Sequence, residues 1–573
     1  MKKNVNLITY LFLSSFLAAQ SAPISIDGHF DDWVNQVSFM DTPESVNGVD
    51  LLEFEVSNDE QFLFIKIIID TELNLKEDDP VAHDIFLDID TDNDPTTGFS
   101  AQEGYGAELS MDFSQRRVFF NVAGGSTVLQ FGAFKARFGP TVTSTEFEIA
   151  IGRNTIPDGI HPLFTSPTIR ILLRNANNGD AIPNVGEVFY YDFDETPVPA
   201  LMPTNINKEG DKLVRIVAYN TLRDGLTEAD QVNHFRDIIK VLNPDIIGFS
   251  ECNNTSAGTV LALMNSWLPQ GNGASWHILK NGDVITASRW PFLNNWPDLY
   301  RQFPVLVDLP DAIYATDLLF TNAHLRCCGN NSGRQEQADE YAAFILNMKE
   351  GNLGIPENTP FVYAGDLNLV GYSQQLTTLL TGDIQNEQEY GEGGFLDWDD
   401  TPLTDQICRQ TDQRMAYTWR NDFSSFPPGR LDFAIFSDAV MTAEKSFALR
   451  TGIMPTDRLD LYNLDANDAE EASDHFPVTV DFSIDELVAT TTPSIDINSI
   501  FPNPVKDQLK IIFAKKNRYT IQLADGLGRI ILSKKLNGKE ALINVEDMVS
   551  GIYYLNIFDN NGTVYHEKIV VER

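Results

Sequence analysis

Six short polar segments carry side chains that could hold a metal ion and hydrolyse a phosphate ester. Each segment stands at or just after an apolar run, where a core strand would end and its polar tip would face solvent. In chain order they are YNT with Asn220, SEC with Glu251, NAHL with His324, GDLN with Asp366 and Asn368, GRLDF with Asp432, and SDH with Ser473, Asp474 and His475. Each residue alone is more often structural than catalytic, so the prediction rests on the joint pattern.

The residue types suit phosphodiester hydrolysis. The negative charge of a phosphodiester repels a nucleophile, so the reaction needs a metal ion that neutralises charge, an activated water and a proton source for the leaving oxygen. Hard oxygen ligands suit Mg²⁺ or Mn²⁺. Glu251 and Asn220 each end a predicted strand and are the expected metal ligands, with Asp474 as a further carboxylate on the metal side.

The remaining candidates would act on water and protons. Asp366 and Asn368 are two residues apart, so on an extended segment both side chains point to one face. One could orient or deprotonate water while the other holds a phosphate oxygen. His475 would meet the phosphate, with Asp432 as the acceptor that fixes its tautomer, and His324 could protonate the leaving oxygen.

The composition predicts a large exported protein. With 573 residues, of which 43% are hydrophobic, the chain is long enough for two or three domains. Residues 1–21 carry Lys2 and Lys3 and then the apolar stretch Leu7 to Ala19, which is typical of a secretory signal peptide too short to span a bilayer. We expect a mature protein without a transmembrane segment, either secreted or at the cell surface.

The chain is strongly acidic. The formal charge is -41, and the segment between the signal peptide and Pro493 has 28 basic and 73 acidic residues. Such a body repels phosphate backbones, which argues against a tight or processive nucleic-acid binder. The acidic charge is still compatible with a nuclease whose metal supplies the local positive charge. An acidic surface that only maintains solubility is an equally good interpretation.

Four cysteines, Cys252, Cys327, Cys328 and Cys408, lie in the middle of the chain. Export permits disulfides, and four cysteines allow three pairings. The absence of a CxxC motif favours disulfides over a zinc site or free thiols. A bridge between Cys252 and Cys327 would connect the loops that carry Glu251 and His324.

Residues 22–195 are predicted to form a β-sandwich, because short β-prone runs alternate with turn residues. The segments IDGHFDDW (26–33), DIDTDNDPTTG (88–98) and GAE (106–108) resemble the family 9 carbohydrate-binding module and its DOMON-like relatives. That resemblance implies a glycan ligand. A calcium site is predicted from four alternating aspartates, with a solvated acidic turn as the alternative: Asp88, Asp90, Asp92 and Asp94.

Residues 196–212 are rich in proline and polar residues and are predicted to be a linker. Residues 213–485 then alternate strands with amphipathic helices, which indicates an α/β domain. A second predicted linker, 486–493, precedes a small C-terminal β-sandwich at 494–573. The motifs IFPNPVKDQLKI and MVSGIYYLNIF in that tail resemble the type A sorting domain of type IX secretion, which implies the type IX secretion machinery as a partner.

The α/β domain resembles the endonuclease/exonuclease/phosphatase superfamily over YNT, PDIIGFSE, ITASRWPF, TNAHL, GDLN, YTWRNDFSSFPPGRLDF and SDHFPV. The resemblance implies a DNase I-like four-layer α/β sandwich. By the same resemblance, metal binding falls to Asn220 and Glu251, with Asp474 nearby, and His324 lies on the leaving-group side. By the same resemblance, Asp366 acts on the attacking water and Asn368 holds the phosphoryl group. The pair of Asp432 and His475 supports the transition state.

We therefore expect a secreted, Mg²⁺- or Mn²⁺-dependent phosphodiesterase, with extracellular nucleic acid as the substrate. The segment CNNTSAG after Glu251 lacks the basic residues of a DNA-gripping loop, and the vicinal pair of Cys327 and Cys328 replaces a polar run. The substrate therefore stays open to a phospholipid, as in sphingomyelinases, or a sugar phosphate. A catalytically silent surface adhesion protein is the alternative from another class.

Overall fold

The computed structural model describes residues 23–43, 47–484, 497–524, 529–546, 548–559 and 564–571. The predicted signal peptide and the linker at 486–493 lie outside the described residues. The chain separates into two compact units, Met1–Glu486 and Leu487–Arg573, and each is described by itself.

The N-terminal part of the first unit consists of strands. Short 3-10 helices occur at Asp31–Trp33 and Phe131–Phe134. The strands are β1 (Val37–Met40), β2 (Leu51–Asn58), β3 (Phe62–Leu73), β4 (Ile85–Asp90), β5 (Phe99–Gln102), β6 (Tyr105–Ala107), β7 (Leu109–Asp112), β8 (Arg117–Phe120), β9 (Thr127–Leu129), β10 (Arg137–Gly139), β11 (Ser144–Gly152), β12 (Thr168–Asn175), β13 (Asp180–Ile182) and β14 (Phe189–Asp192).

These strands form the predicted β-sandwich. One sheet has the order β1-β2-β3-β11-β10, and the other has the order β13-β12-β4-β7-β8-β9, with β14 also paired to β12. The two sheets share one core. In β3, Leu63, Ile65 and Ile67 face this core, because successive side chains of a strand alternate between its two faces.

The other face of β3 packs on the second part of the unit. Phe62 and Phe64 belong to a different core cluster, which they share with Ile26, Trp33 and Phe249. The run FLFIKIII, apolar except for Lys66, is explained by this arrangement, because a strand buried on both faces needs few polar residues.

The second part contains strands and helices in alternation. Its strands are β15 (Val214–Asn220), β16 (Ile246–Ser250), β17 (His277–Asn281), β18 (Val284–Ser288), β19 (Phe292–Asn295), β20 (Gln302–Val307), β21 (Leu318–His324), β22 (Phe361–Asp366), β23 (Thr404–Asp405), β24 (Asp432–Phe436), β25 (Met441–Ala448) and β26 (Val478–Ile484). Its helices are α1 (Val232–Leu242), α2 (Ala257–Trp267), α3 (Asn331–Lys349), α4 (Gln374–Thr381), α5 (Glu387–Tyr390), α6 (Thr456–Tyr462) and α7 (Asp468–Ala472), with 3-10 turns at Gly225–Thr227, Gly271–Gly273 and Thr451–Ile453.

Two six-stranded sheets pack face to face between the helices. Their orders are β17-β18-β16-β15-β26-β25 and β19-β20-β21-β22-β24-β23. Ile216 of the first sheet and Val362 of the second lie in the core between the sheets. Helix α1 covers the outer face of the first sheet through residues such as Phe235, and α3 covers the outer face of the second through Tyr341. The predicted four-layer α/β sandwich is confirmed.

The segment predicted as a linker, 196–212, lies against the α/β part of the unit. Ile206 is fully buried in its core, and the backbone N–H of Thr204 donates to the carbonyl of Thr411 at 2.9 Å. The linker is therefore held against the domain, because an apolar residue within its polar run anchors it.

The second unit is a five-stranded antiparallel sheet. Its strands are β27 (Ile497–Phe501), β28 (Gln508–Ala524), β29 (Ile530–Asn544), β30 (Gly551–Asp559) and β31 (Val564–Val571), in the order β27-β28-β30-β31 with β29 also paired to β28. Alternate residues such as Leu509, Ile511 and Phe513 form its core. The predicted β-rich C-terminal domain is confirmed.

Throughout the described ranges of both units, every helix is either too short or too polar to cross a membrane.

Candidate active site

The carboxyl ends of parallel strands bring the candidate residues together. In the first sheet, β15 runs parallel to β16, and Asn220 pairs in register with Ser250, directly before Glu251. In the second sheet, β21 runs parallel to β22, and His324 is in register with Asp366. Parallel strands end at the same edge of a sheet, so these side chains gather at one edge of the sandwich.

Asn220 connects the two sheets at this edge. Its Nδ2 donates to Glu251 Oε1 at 3.2 Å and to Asp366 Oδ2 at 3.0 Å. Glu251 follows the first sheet and Asp366 ends the second, so one buried amide spans the seam between the sheets. Its position is fixed further by Leu222, whose backbone N–H donates to Asn220 Oδ1 at 3.0 Å.

The donor set fits a divalent cation. Ligand atoms of Glu251, His324 and Asp366 lie within 4.8 Å of one another. Two carboxylates this close repel each other unless a positive charge lies between them. Coordination by the Asn220 oxygen would require the amide to rotate by half a turn, which gives up the hydrogen bond from Leu222 and places an oxygen in the same space, as Mg²⁺ prefers.

His324 is held by two residues that the sequence did not suggest. Its Nδ1 lies 2.7 Å from Asp283 Oδ2, and Arg301 Nη2 contacts both side chains. Burial alone would raise the pKa of Asp283, but the hydrogen bonds from His324 and Arg301 outweigh it and hold that pKa well below its ordinary value. Asp283 therefore stays ionised and directs the other ring nitrogen of His324 toward Asp366, 3.6 Å away.

His475 forms the corresponding pair with Asp432. Its Nδ1 lies 2.8 Å from Asp432 Oδ2, and its Nε2 lies 3.8 Å from Asp366 Oδ2. Burial would lower the pKa of His475, but the carboxylates of Asp432 and Asp366 outweigh it and raise the pKa to about 10. The imidazole is therefore held in its charged form and can donate from both nitrogens.

Asn368 and Asp474 complete the group. Asp366 Oδ1 accepts from the backbone N–H of Asn368, whose Nδ2 donates to the carbonyl of Leu325. Asp474 Oδ2 accepts from Trp419 Nε1 at 3.0 Å. Of the eight predicted site residues, six line one cavity of about 800 Å³: Glu251, His324, Asp366, Asn368, Asp474 and His475. Asn220 and Asp432 lie directly behind them, in contact with Glu251 and His475.

Several residues at this edge have left-handed backbone conformations. The φ angles are +59° at Glu251, +49° at Asn368, +57° at Arg301 and +62° at Cys328. Residues other than glycine and asparagine tolerate this region poorly, so Glu251, Arg301 and Cys328 each carry a cost of order 1 kcal/mol. The surrounding hydrogen bonds must offset that cost, so these positions are set by the site rather than by local preference.

The predicted disulfides are not formed, because all four cysteines are free. Cys252 is buried among the residues under α1, and Cys408 is buried between the two sheets, so these two lie in different cores. Cys327 and Cys328 are exposed neighbours at the cavity rim. The bridge considered between Cys252 and Cys327 is therefore not formed, since Cys252 is a buried free thiol and Cys327 an exposed one.

The acidic cluster of the N-terminal sandwich differs from the predicted one. Ligand atoms of Asp90 and Asp92 lie within 4.8 Å of Glu108. Asp88 instead forms an ion pair with Arg174, at 2.5 Å, and Asp94 accepts from Thr96 within its own turn. Asp88 lies on the same face of β4 as Asp90, two residues earlier, and meets Arg174 there, so the candidate cluster is Asp90, Asp92 and Glu108. Burial raises the pKa of Glu108 to about 7, and the neighbouring carboxylate of Asp92 adds to this rise.

Sequence reasoning missed Asp283, Arg301 and Lys76, which also line the cavity. Asp283 stands in an Asn-Gly-Asp turn, a pattern that usually marks a solvated hairpin. Arg301 and Lys76 belong to segments without a motif. The left-handed φ of Arg301 could not be inferred from its residue type.

Two family models match this chain. Residues 205–475 match the endonuclease/exonuclease/phosphatase family, and residues 499–572 match the secretion system C-terminal sorting domain. The α/β part of the first unit is therefore an endonuclease/exonuclease/phosphatase domain. The second unit is a sorting domain of type IX secretion, so the protein is secreted or displayed at the cell surface.

Several solved structures are similar to part of this chain. TDP2 of D. rerio, complexed with single strand DNA product, is 18% identical, with a TM-score of 0.30, and covers 48% of this chain and 99% of its own. An endonuclease/exonuclease/phosphatase from Beutenbergia cavernae is 13% identical, with a TM-score of 0.32, and covers 62% and 99%. Beta toxin from Staphylococcus aureus is 14% identical, with a TM-score of 0.29, and covers 47% and 99%.

A curated relative is similar over a short stretch. An endo-acting ulvan lyase from Formosa agariphila is 31% identical over 102 residues, which are 16% of this chain and 20% of the lyase. The chain thus spans about a fifth of the length of this relative.

Proposed function

We propose that this protein is a divalent-metal-dependent phosphodiester hydrolase that cleaves extracellular nucleic acid. The proposal rests above all on the bridge that Asn220 makes between Glu251 and Asp366 at the seam of the two sheets. A surface adhesion protein would have no physical reason to hold two carboxylates around one amide in a buried cavity, where their repulsion costs stability.

Mg²⁺ or Mn²⁺ is the proposed cofactor, held by Asn220, Glu251 and Asp474. When bound, the metal neutralises phosphate charge and polarises the scissile bond. The acidic donors of Glu251 and Asp474 and the amide oxygen of Asn220 match the hard ligands that these ions take.

The remaining roles follow from hydrogen bonding. Asp366 accepts from the backbone of Asn368 through Oδ1 and keeps Oδ2 near both histidines, so it is the group proposed to orient and deprotonate the attacking water. Asn368 is proposed to hold a phosphoryl oxygen. His475, charged and oriented by Asp432, would donate to the phosphoryl oxygens as negative charge develops there.

His324 is proposed to protonate the leaving oxygen. Its Nδ1 is occupied by Asp283, which leaves Nε2 as the atom that faces the cavity. This arrangement fixes the tautomer in the way that a carboxylate fixes a catalytic histidine in acyl transfer.

Nucleic acid is the proposed substrate in preference to a phospholipid or a sugar phosphate. Of Trp290, Trp296 and Tyr300, the first two pack against the domain core and only Tyr300 is strongly exposed. These three residues therefore do not form an exposed aromatic surface for membrane insertion. The acidic body favours short or single strands over a long duplex, because each additional phosphate is repelled.

The experiment compares substrates and metals on the full chain. Plasmid, single-stranded DNA, RNA, sphingomyelin and bis-p-nitrophenyl phosphate are incubated with Mg²⁺, with Mn²⁺ and with EDTA. We expect nucleic acid to be cleaved with metal and not in EDTA. Glu251→Gln should lower kcat/KM by about a thousandfold, because a ligand carboxylate is lost, whereas the same change at the exposed Glu187 should have no effect. Turnover in EDTA, or turnover of sphingomyelin alone, would contradict the proposal.

Calcium is proposed to bind the N-terminal sandwich at Asp90, Asp92 and Glu108. Asp90 is fully buried, and its carboxylate oxygens accept no hydrogen bond from the described residues, although Arg170 Nε lies 3.5 Å away. Added Ca²⁺ should raise the Tm of the wild type and leave that of Asp90→Asn unchanged. A glycan ligand for this sandwich remains a prediction, which a binding array would test.

A further inference from the structure

The N-terminal sandwich contributes residues to the cavity of the phosphoesterase domain. The loop after β3 and the stretch before β11 dock on residues 369–373, which directly follow Asn368. Asn74 Nδ2 donates to the carbonyl of Val370 at 2.9 Å, and Thr141 Oγ1 donates to the carbonyl of Leu369 at 2.7 Å. Lys76 and Thr141 therefore line the same cavity as Glu251 and His475.

Lys76 is a buried cation without a counter-ion. Its side chain is 6% exposed, and Nζ donates to the carbonyl of Thr141 at 3.3 Å. No carboxylate of the described chain lies within ion-pair distance of it. Glu77, the neighbouring acid, pairs with Arg116 at 3.4 Å.

Such an arrangement is costly unless the substrate supplies the missing charge. An ammonium group removed from water loses hydration free energy, and one neutral carbonyl replaces only part of it. Burial lowers the pKa of Lys76 to about 8, so the group is still mostly charged at neutral pH. An anion in the cavity would restore the lost stabilisation.

The position of Lys76 is fixed by both domains. Arg116 Nη1 donates to the carbonyl of Lys76 at 2.9 Å, and the guanidinium of Arg116 stacks on the ring of Phe426, 4.3 Å from its centroid. Phe426 belongs to the phosphoesterase domain and lines the same cavity. Lys76 is therefore held in place before a ligand arrives, which reduces the entropy lost on binding.

We infer that Lys76 binds a second anionic group of the substrate, namely the phosphate next to the scissile one in a nucleic-acid strand. The inference rests on the proposed function and adds to it a subsite built by the other domain. A choline headgroup is cationic and would be repelled by Lys76, and a sugar diester with a single phosphate would leave it unpaired. A strand with phosphates at regular intervals supplies an anion both to the proposed metal site and to Lys76.

Binding of nucleotides tests the inference without turnover. Thymidine 3′,5′-bisphosphate is compared with thymidine 5′-monophosphate and 3′-monophosphate by calorimetry on the full chain with Mg²⁺. We expect the bisphosphate to bind about tenfold to a hundredfold more tightly than either monophosphate, because a charge-assisted hydrogen bond is gained. Lys76→Met should remove most of this preference, and Lys76→Arg should retain it.

Cleavage gives the second readout. The values of kcat/KM are measured for the dinucleotide TpT and for its 5′- and 3′-phosphorylated forms. The wild type should prefer one phosphorylated form, and Lys76→Met should lower that preference about tenfold or more. Lys66→Met is the matched control, since Lys66 is a buried lysine of the same sandwich that pairs with Glu55 and Glu146.

The outcomes separate the two proposals. The subsite is overturned if wild type and Lys76→Met show the same preference for the additional phosphate, or if the wild type shows none. Cleavage of TpT would still support the nuclease proposal in that case. If TpT is not cleaved, the nuclease proposal fails, and the bisphosphate titration still decides whether Lys76 binds a second anion. A loss of preference in Lys66→Met as well would assign the effect to altered folding and overturn the subsite. The Tm of each variant is recorded alongside.

Discussion

Asp283 Oδ2 and His324 Nδ1 lie 2.7 Å apart, in a pair that Arg301 contacts from the side. Asp283 precedes β18 of one sheet and His324 ends β21 of the other, so the pair joins the two sheets beside the bridge made by Asn220. The ionised carboxylate fixes both the tautomer and the ring orientation of the histidine.

Asp283→Asn should therefore lower kcat by about a hundredfold or more while changing KM little, because a misoriented acid affects the chemical step more than binding. Steady-state kinetics on a nucleic-acid substrate give this split. Asp317→Asn serves as the control, since Asp317 accepts only a backbone N–H on another loop. A rise in KM with unchanged kcat would contradict the assignment of His324 to proton transfer.

Arg215 and Asp481 form a bidentate ion pair on neighbouring strands β15 and β26, with Nε–Oδ1 and Nη2–Oδ2 distances of 2.5 and 2.7 Å. Arg215→Met should lower the free energy of unfolding by about 3 to 5 kcal/mol, because Asp481 would be left buried and unpaired. The double change to Arg215→Met and Asp481→Leu should recover part of that loss. Thermal unfolding measures it, with Arg236→Met at the partly exposed pair with Asp237 as a control expected to cost less than about 1 kcal/mol.

Glu148 predicts a dependence of stability on pH. It is buried and accepts from the N–H groups of Asp27, Gly28 and Trp33, and burial raises its pKa from 4.5 to about 8. The folded state thus binds the proton of Glu148 more tightly than the unfolded state does. The resulting contribution to the free energy of unfolding is fully present below about pH 4.5 and is lost as the pH rises toward 8.

Between about pH 5 and pH 8 the wild type should lose more stability than Glu148→Gln, by up to about 1.4 kcal/mol per pH unit. Tm values of both proteins across this range provide the measurement. Parallel pH profiles would show that Glu148 titrates normally in the folded protein.

The free cysteines predict two classes of thiol. Cys327 and Cys328 are exposed, and the hydrogen bond from Cys328 to Cys327 raises the pKa of Cys328 to about 11, so Cys327 should react first. Cys252 and Cys408 are buried, which raises the pKa of each to about 12. A thiol reagent should therefore modify two groups in the native protein and four in denaturant. Fewer than four in denaturant would indicate a disulfide.

The fold could be predicted because its hydrophobic patterns are local. The helical spacing of Phe235, Ile238, Ile239 and Leu242 and the alternation along β28 each indicate one element and one buried face. The largely apolar run in β3 is typical of a strand, and the structure buries both of its faces. The run could not indicate what covers the second face, because apolar residues specify burial and not the partner.

The candidate site was predictable where the side chain stands at a strand end. Asn220, His324 and Asp366 follow this rule, since each is the last residue of its strand. Asp283 does not, since an acidic residue in a turn looks the same whether it faces water or a histidine. The role of Lys76 could not be predicted from the sequence for another reason. It depends on the docking of two domains, and no local sequence pattern encodes such docking.

The left-handed backbone at Glu251 has a consequence for anyone who engineers this protein for heat resistance. Glycine relieves strain at such a position, so a screen for higher Tm would favour Glu251→Gly even though it deletes a proposed metal ligand. Selection for thermal stability should thus favour glycine at this residue, whereas selection for catalytic activity should favour glutamate. Variants improved for storage therefore need to be assayed for metal binding before they are kept.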